Sequence, residues 1–168
     1  MKRIIILALS LFFSIIASAQ YIDDDVRSGD TRIITCSPYV QEQDGEEYMI
    51  YYKYMEKGDI KAIVLEIICG KQKGWWTVPA EAKAIVKFMQ GGFHSIPVLT
   101  SKIEDVSNKI MSVSILISPE QDKHIAGISD IMFRTSSSVT PNIKIKIGDD
   151  CRFHLQRSLA ELVIRAGI

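Results

Sequence analysis

Ile143, Ile145 and Ile147 alternate with Lys144 and Lys146, the cleanest period of two in the chain. Such alternation puts apolar and charged side chains on opposite faces of a strand and fits no helix. Met111, Val113, Ile115 and Ile117 repeat it against Ser112, Ser114 and Ser118. A chain with these segments must build a sheet with one face buried. Further strands are expected over Arg32 to Val40, Glu47 to Met55 and Ile60 to Cys69, joined by Asp44-Gly45 and Lys57-Gly58-Asp59 turns into an antiparallel meander. Within the second of these, Tyr52 and Tyr54 share one face and Tyr51 takes the other.

Ala80 to Gln90 is compatible with either period. Gly91-Gly92, followed by Phe93 to Leu99, reads as a hairpin turn and favours a strand. Ser118-Pro119-Glu120-Gln121 is a capping box with proline at the first helical position, so a short helix is expected from Pro119 to Ala126. Ile128 to Thr135 returns as a strand. After Gly148-Asp149-Asp150, which ends a strand and offers an N-cap, Cys151, Leu155, Leu159, Leu162 and Ala166 fall on one helical stripe. The expected fold class is α+β: a mostly antiparallel β-sheet, one short helix and a C-terminal amphipathic helix packed on the sheet.

The start of the chain reads differently. Lys2 and Arg3 precede an apolar run from Ile4 to Ile16, and Ala17-Ser18-Ala19 follows with Gln20 next. That is the anatomy of a secretory signal peptide over residues 1–19, cleaved before Gln20. The apolar run falls short of the ~20 residues of a membrane span. Residues 20–30 are expected to be a flexible lead-in, and residues 31–168 a single domain. The mature chain is read as soluble, periplasmic or secreted, with no membrane span.

The chain has 20 basic and 20 acidic residues, and loss of Lys2 and Arg3 leaves 18 against 20. Without a basic surplus, nucleic acid is excluded as an expected partner. Asp23-Asp24-Asp25 is an acidic run but lacks the spacing of a calcium loop, so it reads as a solvated segment. Three cysteines, Cys36, Cys69 and Cys151, suit buried free thiols better than a disulfide framework. If one bridge forms, Cys36–Cys69 is the expected pair.

The order of elements resembles small exported α+β proteins of unknown function from Bacteroidetes-type bacteria. The likeness rests on the strand from Lys83 to Met89 with its Gly turn, the Ser-Pro-Glu-Gln helix start, the strand from Gly127 to Thr135 and the terminal helix. It implies a fold and an origin, and no catalytic residues.

Catalytic signatures are missing. There is no Gly-x-Ser-x-Gly elbow, no His-Glu-x-x-His and no phosphate-binding loop. Cys151 and His154 lie three apart but have no second Cys/His pair to complete a metal site, so no metal and no cofactor is expected. Trp75-Trp76 is the candidate ligand-binding site. Adjacent residues on extended backbone point oppositely, so one ring should enter the core while the other faces solvent beside Lys71 and Lys73. The expected function is an exported, non-catalytic binding or structural protein whose partner is an unknown protein or carbohydrate at the cell envelope. The alternative is a small periplasmic hydrolase or thiol enzyme using a Cys/His pair among Cys151, His154 and His94.

Overall fold

The computed structural model describes residues 21–79, 81–117 and 127–168. Among them are ten strands and one helix: β1 (Ile22–Ser28), β2 (Thr31–Cys36), β3 (Tyr39–Gln43), β4 (Glu46–Lys57), β5 (Ile60–Gly70), β6 (Lys83–Phe88), β7 (Phe93–Asp105), β8 (Ile110–Ile117), β9 (Ile128–Arg134), β10 (Asn142–Lys146) and α1 (Asp149–Ala166). The strands form one sheet in the order β1-β2-β4-β5-β8-β7-β6-β9-β10, with β3 also on β4. Every pairing is antiparallel. The expected short helix from Pro119 to Ala126 lies outside the described residues.

Two expectations need correction. Residues 22–28 are not a loose lead-in but strand β1, paired to β2. Ile22 is buried, and Asp25 is held by Arg32 and by Arg165 of the helix, which replaces the solvation that an acidic terminal segment would otherwise keep. Arg32 to Val40 is not one strand but two. Pro38 lacks an N–H and restricts the residue before it, so pairing breaks at Ser37-Pro38. Both pieces still lie along β4, with β2 against residues 53–57 and β3 against residues 46–50.

β7 turns the corner of the sheet. Its first residues pair with β6 and the rest with β8, with irregular registers between Val98 and Thr100 and between Ile103 and Asp105. Such irregularities bend a strand and increase its twist. The bend brings both stretches of sheet around one apolar cluster, which Tyr52, Leu65, Ile115, Val86 and Ile145 enter from successive strands. Alternation therefore holds as read: Tyr48, Ile50, Tyr52 and Tyr54 are buried and Tyr51 is on the other face.

The terminal helix packs against β1 to β4. It begins at Gly148, with Asp149 and Asp150 in the first turn, where the helix dipole favours carboxylates. It ends at Gly167, whose left-handed backbone (φ 74°) lets its N–H reach Val163 O at 3.0 Å. Cys151, Leu155 and Leu162 are buried as the stripe requires. Leu159 is only half-buried, and Ser158 takes a core position instead. Its hydroxyl is satisfied inside the helix by donating to His154 O at 2.8 Å, so burying it leaves no unpaired polar group.

Candidate functional site

A cavity of about 570 Å³ opens where the β6–β7 turn, the start of β9 and the first turns of the helix meet. Gly91 and Gly92 make the turn with φ of +86° and +87°, a region side chains rarely adopt. Phe88 N–H donates to Gly92 O at 3.3 Å and Gly91 N–H to Phe88 O at 3.1 Å, so the turn is closed on itself. Met89 N–H donates to Gly127 O at 2.8 Å and ties it to β9. The wall is apolar on one side: Phe88 lies in the core, while Met89 and Phe93 are 61% and 70% exposed. The His94 ring stands edge-on to Phe88, centroids 5.0 Å apart.

The polar lining residues are Gln90, from the same turn as Met89, and Arg152 and Gln156 of the helix. Arg152 is a fixed post. Its Nη1 donates to Ile128 O at 3.3 Å and Ile147 O at 3.4 Å, and its Nη2 pairs with Asp149. That ion pair offsets its charge, so the cavity offers hydrogen-bonding groups and rings rather than a strong field. Among the described residues its lining has no carboxylate, hydroxyl or thiol side chain.

The tryptophan pair splits between two environments. Trp76 is 2% exposed; its indole N–H donates to Gln72 Oε1 at 3.2 Å and its ring packs on Phe133 at 5.5 Å. Trp75 is 40% exposed and does not line the cavity. Lys71, one of the two lysines expected beside Trp75, is ion-paired with Glu42 at 3.0 Å and Glu47 at 3.3 Å. Of the two residues proposed from sequence, Trp75 is the exposed one.

Of the groups named for the alternative thiol enzyme, His94 lines the cavity, while the cysteines and His154 do not. Cys36, Cys69 and Cys151 are free and buried, and the Cys36–Cys69 bridge is not formed. Cys36 Sγ instead faces Ser158 O of the helix at 3.6 Å. Burial pushes Cys36 and Cys151 up to about 12 and raises Cys69 as well, so each thiol stays protonated. His154 sits between the Tyr21 and Tyr39 rings, at 5.2 and 5.5 Å, with Nε2 against Ser37 O at 2.8 Å. Among the described residues no cluster of three His, Cys, Asp or Glu side chains is placed to hold a metal.

Glu66, on the outer face of β5, is the buried charge that sequence reading passed over. It accepts from Ser114 at 2.9 Å and faces Lys53 at 3.9 Å, and Ser114 accepts from Thr100 at 2.9 Å. This line of partnered groups crosses β4, β5, β8 and β7 and reads as a cross-strand tie.

No family model, curated protein or solved structure matches the chain, and among the described residues no helix is long and apolar enough to cross a membrane. Function is therefore argued from the site itself.

Proposed function

We propose that the protein is exported to the periplasm or beyond and acts as a non-catalytic binding protein whose ligand enters the cavity at the β6–β7 turn. The observation that carries this reading is the mixed lining of that cavity. Exposed Phe93 and Met89 line it together with Gln90, Gln156 and the Arg152 guanidinium, which backbone carbonyls hold in place. A flat apolar face with hydrogen-bonding groups at its rim suits such walls, as a saccharide unit of the cell envelope has. The export segment over residues 1–19 and the resemblance to exported α+β proteins support the compartment. Trp75 lies outside the cavity and would serve as an accessory stacking surface for a longer glycan.

The test is affinity electrophoresis through gels carrying envelope polysaccharides, followed by calorimetry on any that retard the protein. Phe93→Ala should reduce affinity roughly fivefold or more, since losing one ring's stacking and buried area is worth over about 1 kcal/mol. Its stability should hold, because the ring is 70% exposed. Retention that Phe93→Ala leaves unchanged, or no retention by any envelope glycan, would end this reading.

A further inference from the structure

We infer that β1 pairs with the β1 of a second copy of this chain, antiparallel, about a two-fold axis at Val26. Among the described residues β1 pairs only with β2, and its outer edge carries no strand. The hydrogen-bonding groups of that edge point outward. Asp25 N–H is taken by its neighbour's carboxylate, Asp24 Oδ1, at 2.9 Å, rather than by β2. Backbone groups of alternate residues face the same edge of an antiparallel strand, so those of Arg27 face outward too. An incoming strand finds a donor and an acceptor at each of these two positions, once the Asp24 carboxylate gives way to a carbonyl.

The residues select a second copy as that strand. Directly opposite residues of an antiparallel pair share a face. With the axis at Val26, Asp25 of each copy faces Arg27 of the other, Asp24 faces Ser28, and Val26 faces Val26. Both charge pairs are attractive and no like charges meet. Moving the axis to Asp25 would set the two Asp25 carboxylates together. Around the strand, Asp23, Asp24 and Asp25 are balanced by Arg27, Arg32 and Arg165, so the edge as a whole does not repel its own image. The outer face agrees. Val26, 49% exposed, stands opposite Ile33, which stands opposite Met55, both 36% exposed. Pairing at Val26 joins this apolar row to its copy and covers its open end.

Sedimentation velocity of the purified protein across the micromolar range should show a monomer–dimer equilibrium. Arg27→Glu puts like charges opposite one another and should weaken association about tenfold or more. Val26→Cys should crosslink chain to chain under mild oxidation, because a pair that exchanges no backbone bonds lies about 4.5 Å apart between Cα atoms, within disulfide reach. Val40→Cys, equally exposed on β3, should not crosslink. Both β1 substitutions are at exposed positions, and an unchanged far-UV spectrum confirms that each variant is folded. A monomer at every concentration overturns the inference, and would also be the result if the edge were reserved for another protein's strand. A dimer that Arg27→Glu leaves intact, or that Val26→Cys fails to crosslink, overturns it equally.

Discussion

The sheet ends in two strands treated in opposite ways. At β10 the outer edge is closed by side chains from β3. Gln41 Nε2 donates to Lys146 O at 2.8 Å, Gln43 Nε2 donates to Lys144 O at 2.9 Å, and Gln43 Oε1 accepts from Lys146 N–H at 2.9 Å. Two glutamine amides imitate a neighbouring strand and draw β3 and β10 together around the core. At β1 the edge is left open, and the strand is held from its inner face instead. Arg32 and Arg165 clasp Asp25, and Arg32 Nη2 also donates to Arg165 O at 3.0 Å, near the end of the helix. One edge is thus satisfied by side chains, while among the described residues the other carries no strand. An unpaired edge is a liability unless it is charged, short or occupied, and β1 is charged, carrying Asp23, Asp24, Asp25 and Arg27.

The largest test of this contrast strikes the support of the open side. Leu162 is fully buried where the helix meets the sheet, so Leu162→Ala should cost about 2–5 kcal/mol by urea denaturation. Leu159→Ala, at a half-buried position, should cost less. Equal losses would mean that the helix rests on a different stripe and does not clamp the β1 side as described. The closed side should respond less. Gln43→Ala removes two hydrogen bonds to β10, each worth about 0.5–1.5 kcal/mol net, and water reaches the freed groups. Amide exchange should localise the damage, with the Lys146 N–H losing protection and β1 unaffected. Unchanged protection at Lys146 would show that the glutamines decorate this edge rather than close it.

How much of this could be read in advance follows from where each element's partners lie. The strands carrying Ile143, Ile145 and Ile147 or Met111, Val113 and Ile115 were legible because their alternation is local and strong. The turn at Gly91-Gly92 and the helical stripe were legible for the same reason. β1 was not, because its fixing partner Arg165 stands 140 residues away, and Asp25 alone looks like a solvated charge. Gln41 and Gln43 look like ordinary polar positions on a strand until β10, about a hundred residues on, is seen beside them. The cavity gathers Phe93 of β7 with Arg152 and Gln156 of the helix, about sixty residues on, and leaves no spacing to recognise. The split of Trp75 and Trp76 needed only extended backbone, so it could be expected. Which ring would be buried depended on Phe133 and Gln72, which only the fold supplies.

The smallest effect belongs to the Asp25 clasp and separates the two edges by pH. Hydrogen bonding to Arg32 is the main influence on this carboxyl. Desolvation opposes it, and Arg165 reinforces it, so the group falls from 3.8 to about 2. A carboxyl depressed in the folded state adds stability that is fully present above 3.8 and is lost as pH falls through about 2. Because the clasp lies at the surface, solvent screening holds the contribution to about 1 kcal/mol. Stability of the parent and of Asp25→Asn should therefore differ at neutral pH and converge through that acid window, with the difference shrinking in high salt. Gln43→Ala should show no such convergence, since the amides of the closed edge carry no proton to gain. If Asp25→Asn instead matches the parent at neutral pH, the clasp adds nothing and β1 is held by its ladder to β2 alone.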